Sequence, residues 1–185
     1  MNLESAISVL AESVPDPDKG LPDELFYYIS QTTPLINVDL LIQDENGRTL
    51  LAWRDDQYAG QGWHIPGGIL RFKETLETRI LQVAISEIGQ PIDFDPAPIA
   101  IHQMVHKSRD IRGHFLSFLY QCTLPSLFVP RNVGKKPGDS GYLAWHEHTL
   151  SDLLPVHEVY RAFIDPGVCR QRYISNGRVE ITAVL

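Results

Sequence analysis

A pair of glycines followed by two glutamates is the feature of this sequence that is best suited to chemistry. Gly67 and Gly68 permit a tight turn and a close approach of the backbone to a ligand. Glu74 follows Gly68 after five intervening residues, and Glu87 ends a stretch, 74–87, that lacks glycine and proline. At about 100° per residue, Glu87 falls on the apolar side of the helix that this stretch predicts. A carboxylate there needs a cation or hydrogen-bond donors, so a metal ion beside the glycine turn is one interpretation. A surface glutamate paired with a lysine is the other.

One arginine and three histidines are further candidates for a site. Arg54 ends a predicted strand and precedes an acidic loop, where a guanidinium can bind a diphosphate through two parallel hydrogen bonds. Each histidine is open to two interpretations, a proton acceptor in catalysis or a structural residue, and all three lie on or beside predicted strands: His102, His106 and His114.

These side chains are positioned by strands and helices that alternate irregularly along the chain. Branched residues predict a strand at 35–43, and the turn at 44–47 predicts a hairpin with a returning strand at 49–54. A short strand runs from Trp63 into the glycine turn. The remaining predicted strands are 99–106, 114–122 and 143–145, and the predicted helices are 3–13, 22–30, 74–87 and 156–163. This pattern predicts a mixed α/β sandwich.

Proline and glycine divide the chain into three parts. Breaks at 15–20 and at Thr33-Pro34 separate an N-terminal arm with short helices, residues 1–33, from the main domain at 34–165. Residues 166–185 form a C-terminal tail, in which 178–184 is a candidate for one extra strand.

The composition is that of a globular protein and limits the classes of partner. The chain has 185 residues, of which 43% are hydrophobic, and a net charge of −7. This charge disfavours nucleic acid as a partner but allows an anionic small molecule if a divalent cation or local arginines offset the repulsion. We find no apolar run long enough for a transmembrane helix and no basic N-terminal segment typical of a signal peptide. We therefore expect no membrane partner and a cytoplasmic location.

The glycine turn and the following helix resemble the signature of the Nudix hydrolases. That signature is a glycine, a glutamate six residues later, and an arginine-glutamate-apolar-x-glutamate-glutamate-x-glycine block. Gly68 and Glu74 match its first half, and Glu87 and Gly89 match its end. Three positions of the block carry other residues in place of the arginine and two of the glutamates: Gln82, Val83 and Ser86.

The loss of these glutamates is similar to one branch of that superfamily, GDP-mannose mannosyl hydrolase. Short segments resemble that enzyme in order and spacing over about residues 22–165. The resemblance implies a Nudix-type α/β/α sandwich with a mixed central sheet. It also implies a hydrolase that uses one Mg²⁺ per site and releases a nucleoside diphosphate and free hexose from a nucleotide sugar, GDP-mannose or a similar compound, by attack at the anomeric carbon.

The resemblance also implies roles for individual residues. The metal ligands of that enzyme fall on the carbonyl of Gly68, on Glu87 and on Asp139. Arg54 matches an arginine that assists departure of the diphosphate, and Asp39 matches an aspartate of the site. Asp39, Arg54 and Asp139 are therefore predicted catalytic residues.

Two positions depart from that enzyme. Ser140 occupies the place of the catalytic histidine and is the remaining predicted catalytic residue. Ile69 occupies the place of an arginine, although Arg71 follows two residues later. We predict that Arg54, Arg71 and His106 contact the substrate.

Two other functions stay open at this point. The chain is either a Nudix diphosphohydrolase that cleaves at phosphorus or a non-catalytic module that binds nucleotide sugars through a degenerate site. A homodimer formed through the N-terminal arm is the one protein partnership that we predict.

Overall fold

The N-terminal arm is helical. The computed structural model describes residues 2–148, 151–165 and 180–184. Helix α1 spans Leu3–Ser13, a 3₁₀ turn spans Pro17–Lys19, and helix α2 spans Asp23–Thr32. The first helix has the predicted bounds, and the second is shifted by one residue at its start and two at its end. None of the helices in these ranges is long and apolar enough to cross a membrane.

The described part of the chain folds around one mixed sheet of nine strands. Their bounds are β1 Leu35–Gln43, β2 Thr49–Asp56, β3 Gly60–His64, β4 Gly67–Ile69, β5 Asp93–Phe94, β6 Ala100–Val105, β7 His114–Thr123, β8 Leu143–His146 and β9 Glu180–Val184. The strands run in the order β3-β2-β1-β7-β6-β9, and β4, β5 and β8 pair with β1, β7 and β2, respectively. β1 is parallel to β7 and β6 to β9, whereas the other pairs are antiparallel.

Alternation along β1 builds a core on each face of the sheet. Val38, Leu40 and Ile42 belong to the core that helix α3, Leu76–Val83, covers. Leu41 belongs to the opposite core, which is covered by a 3₁₀ segment at Pro155–Tyr160 and by helix α4 at Arg161–Ile164. Each buried aliphatic side chain contributes about 1.5–3 kcal/mol. Helices on both faces of a mixed sheet confirm the predicted α/β sandwich.

The helix after the glycine turn differs from the uniform α-helix that the sequence predicts. It begins with Thr75 as its cap, and from Ala84 to Ile88 it widens into a π-helical turn. The N–H of Gly89 donates to the carbonyl of Ala84 at 3.0 Å, five residues earlier. The wider turn keeps Ile88 in the core and lets Glu87 line a cavity at the glycine turn. Such turns are frequent at functional sites.

An ion pair fixes the loop between β4 and α3. The Nε and Nη2 atoms of Arg79 lie 2.7 and 2.6 Å from Oε2 of Glu74, and each side chain is only 10% exposed. The same oxygen accepts the N–H of Arg71 at 3.0 Å. Gln82 stands where the Nudix signature has its arginine, so Arg79, one helical turn earlier, supplies the guanidinium for Glu74.

The two helices of the arm differ in their contacts. Ser30 of α2 is buried, whereas α1 has no buried residue and leaves Leu3, Ile7 and Leu10 exposed. The homodimer through the arm stays a prediction.

Most of the tail, 166–179 and 185, lies outside the described residues, and β9 falls within the predicted strand 178–184.

We expect Arg79→Met to lower the free energy of unfolding by about 3 kcal/mol, because it leaves the nearly buried carboxylate of Glu74 without its cation. Urea denaturation near neutral pH measures the change. Lys19→Met is the matched control, because Lys19 and Asp16 form an exposed pair whose loss should leave the free energy of unfolding nearly unchanged. Equal stability of Arg79→Met and wild type would contradict a structural role for the Glu74–Arg79 pair.

Candidate active site

The signature glycines lie at the wall of a cavity of about 250 Å³. β4 runs beside β1, so that Gly67 is opposite Asp39 and Gly68 is opposite Val38. A Cβ atom on Gly67 would collide with the carboxylate of Asp39 and would lie 2.7 Å from the carbonyl oxygen of Val38. One on Gly68 would lie 2.7 Å from a methyl group of Val83. Only glycine therefore allows β1, β4 and α3 to approach one another this closely.

Glu87 lines the cavity beside this turn. Burial raises the pKa of its carboxyl to about 7, against the opposing effects of Arg54 and a hydrogen bond from the N–H of Gly67, while the nearby charge of Asp39 adds to the rise. The carboxylate thus lacks full compensation by cations. A hard divalent cation is the partner that would supply it.

The donor set near Glu87 fits a magnesium ion that also binds phosphate. Gly68 and Glu87 line the same cavity. Within the described ranges, no three His, Cys, Asp or Glu side chains form a group that could hold a metal. Mg²⁺ is commonly bound by one or two carboxylates while substrate phosphates and waters complete its shell. The carboxylate of Glu87 is a ligand of the kind that this mode of binding uses, and the Gly68 carbonyl stays a predicted ligand.

Asp39 is held by a buried network of hydrogen bonds. The hydroxyls of Ser117 and Tyr160 both donate to Oδ2, and the side-chain amide of Asn37 donates to Oδ1 at 2.9 Å. Burial raises the pKa of Asp39 to about 6, although these three donors oppose the rise. The network fixes the carboxylate at the cavity wall.

Three arginines line the same cavity: Arg54, Arg109 and Arg112. Nε of Arg54 donates to Asp56 at 2.6 Å. Burial lowers the pKa of Arg112, and the charge of Arg54 adds to this effect. A cluster of guanidinium groups in a chain of net charge −7 is suited to an anion with several oxygens, such as a diphosphate.

Helix α2 of the arm supports Arg112. The backbone N–H of Arg112 donates to the hydroxyl of Ser30 at 3.2 Å. Its guanidinium lies over the rings of Tyr58 and Phe26, with 5.2 and 5.8 Å between the guanidinium carbon and the ring centroids. The arm therefore helps to build the cavity through the placement of this arginine.

Four of the predicted site residues come together at the cavity: Asp39, Arg54, Gly68 and Glu87. Arg71 is not among the residues that line it. Its guanidinium donates to the carbonyl of Asp18 at 3.2 Å, on the side of the arm. His106 also lies outside the lining. Its backbone closes the loop that carries Arg109 and Arg112, because its N–H donates to Gly113 at 2.6 Å.

Asp139 and Ser140 are also outside the cavity lining. Oδ2 of Asp139 accepts the backbone N–H of Lys136 at 2.9 Å, within a turn of the long loop, and Ser140 is exposed. The nearby charge of Lys135, in the same loop, acts to lower the pKa of Glu87. The metal-ligand role of Asp139 and the catalytic roles of both residues stay predictions.

Several cavity residues were not identified by sequence reasoning. Arg109 and Arg112 lie in a charged loop, and the excess of arginine there was an available signal. His64 and His157 also line the cavity, with 5.7 Å between their ring centroids. His64 follows Trp63 in a short apolar segment, and no spacing rule marks either histidine as a site residue.

Comparisons with known proteins identify a relative and a fold. No protein-family model matches the chain. Over 112 residues it is 30% identical to the low-salt glycan biosynthesis protein Agl8 of Haloferax volcanii, a match that covers 58% of this chain and 70% of Agl8. The chain belongs to the Agl8 family.

Solved structures with a similar fold include Nudix hydrolases. A Nudix hydrolase from Nitrosomonas europaea has a TM-score of 0.56 at 17% identity and covers 82% of this chain and 79% of its own. A MutT Nudix hydrolase from Burkholderia pseudomallei has a TM-score of 0.55 at 20% identity, and the match covers 69% of this chain and 95% of the other. At these identities the likeness establishes the fold, so this member of the Agl8 family has a Nudix-type fold, as the signature predicts.

We expect Glu87→Gln to stabilise the metal-free protein at alkaline pH. The pKa of Glu87 is raised from 4.5 to about 7, so the folded state binds the proton more tightly than the unfolded chain. Ionisation therefore destabilises the fold increasingly as the pH rises from the lower value through the higher one. The free energy of unfolding of the variant should exceed that of wild type by on the order of 2 kcal/mol at about pH 8 and by little at about pH 5.

Urea denaturation in the presence of a chelator measures this difference. Glu77→Gln, on the exposed side of α3, is the control and should show no comparable gain. A Glu87→Gln protein that is no more stable than wild type at the higher pH would show that Glu87 already has a sufficient cationic partner.

Proposed function

We propose that this chain is a metal-dependent hydrolase of a nucleotide sugar that releases a nucleoside diphosphate and a free hexose. One observation carries the proposal: the cluster of three arginines lies in one cavity with Glu87 and the glycine turn. Together these groups are suited to bind a diphosphate and a metal ion.

In this proposal the arginines and the metal act on the leaving group. Cleavage at the anomeric carbon places negative charge on the departing diphosphate, and preorganised cations stabilise that charge as it develops. Bound Mg²⁺ would supply additional positive charge at the diphosphate. Arg54, Arg109 and Arg112 would bind its oxygens, and Glu87 with the carbonyl of Gly68 would hold the metal.

The scarcity of metal ligands favours attack at carbon over attack at phosphorus. Nudix enzymes that cleave at phosphorus use several glutamates of the signature block, but Val83 and Ser86 occupy two of those positions here. In the described ranges no other His, Cys, Asp or Glu side chains complete a group of three around a metal. A good leaving group needs fewer metal ligands once its charge is offset.

Two observations outside the cavity support a nucleotide sugar as the substrate. Agl8 is named as a glycan biosynthesis protein, and the sequence resembles GDP-mannose mannosyl hydrolase beyond the signature. GDP-mannose or a close relative is therefore the proposed substrate.

The attacking water has one proposed contact in the cavity. Oδ1 of Asp39 accepts a hydrogen bond from Asn37, and a carboxylate oxygen has capacity for another donor. Asp39 would orient the water. Roles for Asp139 at the metal and Ser140 near the water would require the loop around Lys135 to move toward the cavity.

We expect hydrolysis of GDP-mannose with Mg²⁺ in ¹⁸O-labelled water to give GDP and labelled mannose. Water attacks the sugar carbon in this proposal, so the label enters the sugar and not the phosphate. Mass spectrometry of the separated products detects it. GMP and mannose 1-phosphate, with the label on a phosphate, would favour the diphosphohydrolase. Binding of GDP-mannose without any product would favour the non-catalytic module.

We expect Arg54→Lys to keep the fold but to lower kcat about tenfold or more, because lysine lacks the planar pair of donors that a diphosphate engages. Steady-state kinetics with GDP-mannose and Mg²⁺ measure the loss. Arg131→Lys is the control, since Arg131 is exposed in the long loop and does not line the cavity. Unchanged kinetics in Arg54→Lys would place Arg54 outside the reaction.

A further inference from the structure

His157 has one ring nitrogen fixed by the backbone. The N–H of Ile65 donates a hydrogen bond to Nδ1 of His157 at 3.3 Å. A nitrogen that accepts a hydrogen bond carries a lone pair and no proton. Since a neutral imidazole has one proton, that proton must be on Nε2. The fold therefore selects one tautomer of His157 and makes Nε2 a hydrogen-bond donor.

The surroundings of His157 keep its ring neutral. Burial lowers the pKa of His157 well below its ordinary value, and the nearby His64 and Arg54 lower it further. A second proton on Nδ1 would also break the hydrogen bond from Ile65. Ser140 occupies the place of a catalytic histidine, and His157 is unsuited to replace that base. Its one basic nitrogen already accepts the hydrogen bond from Ile65.

The donor nitrogen of His157 has no partner of its own among the residues that the structure describes. The ring packs against His64 and Tyr160, with 5.7 and 5.3 Å between the ring centroids. His157 lines the same cavity as Arg54. An N–H without a protein partner, in a cavity that a guanidinium also lines, is placed to donate to the same anion that the guanidinium binds.

We propose that His157 is a substrate-binding residue whose Nε2–H donates a hydrogen bond to an anionic phosphate oxygen of the substrate. The proposal rests on the proposed function for the presence of a diphosphate, but it assigns a contact that the sequence did not predict. In this proposal the bond between Ile65 and His157 fixes the tautomer that makes Nε2 the donor.

Two variants separate the two nitrogens of the ring. In His157→Asn the side-chain oxygen can still accept the N–H of Ile65, but the donor at the Nε2 position is lost. In His157→Gln the amide nitrogen takes the place of Nε2 and restores a donor. The probe is inorganic pyrophosphate with Mg²⁺, titrated by calorimetry, so that no turnover is needed.

We expect the Kd for pyrophosphate to rise about tenfold in His157→Asn, as for loss of a hydrogen bond to a charged group, and to return to within about threefold of wild type in His157→Gln. Thermal denaturation checks that both variants are folded. Wild-type affinity in folded His157→Asn would overturn the proposal, as would equal losses in the two variants.

Long-range ¹H–¹⁵N NMR of the wild-type protein tests the tautomer even if the variants do not fold. We expect protonated Nε2, unprotonated Nδ1, and a shift of the Nε2 signal when pyrophosphate binds. A proton on Nδ1, or an Nε2 signal that pyrophosphate leaves unchanged, would overturn the proposal. Because these measurements report binding, pyrophosphate contact without sugar hydrolysis would contradict only the proposed reaction.

Discussion

The close approach of the glycine turn to strand β1 is the constraint on which the site depends. No Cβ atom fits on Gly67 against β1 or on Gly68 against α3, and the first of these contacts brings the carboxylate of Asp39 beside the turn. The N–H of Gly67 acts to lower the pKa of Glu87. A side chain at either glycine would push β4 away from β1 or from α3, and the two carboxylates would no longer share one cavity.

The charged groups of the cavity are poorly compensated within the protein and would be better compensated by a bound ligand. Burial raises the pKa of both Asp39 and Glu87, so holding them ionised costs stability. Arg112 is half-buried near Arg54, and this lowers its pKa. A metal ion bound to a diphosphate would place positive charge by the carboxylates and negative charge by the arginines, which relieves both costs.

Local sequence patterns predicted the parts of the molecule that depend on near neighbours. The branched residues at 35–43 predicted the bounds of β1. The glycines before α3 predicted where in the fold the candidate site lies. The π-helical turn at Ala84–Ile88 was not predicted, because no residue type marks it. Arg112 and His157 were missed for another reason: each reaches the cavity through contacts with distant segments, Ser30 for the first and Ile65 for the second. The arginines of its loop are a local signal for the charge of Arg112, but neither long-range contact can be read from neighbouring residues.

The central claim is that one cavity binds a divalent metal ion together with a diphosphate. The most direct measurement is ³¹P relaxation of GDP in the presence of the protein and Mn²⁺ as a paramagnetic substitute for Mg²⁺. The account predicts strong relaxation of both phosphorus nuclei that depends on the protein and is lost in Glu87→Gln. Relaxation that is identical in Glu87→Gln and wild type, or GDP that binds while its phosphorus nuclei stay unaffected by Mn²⁺, would contradict it.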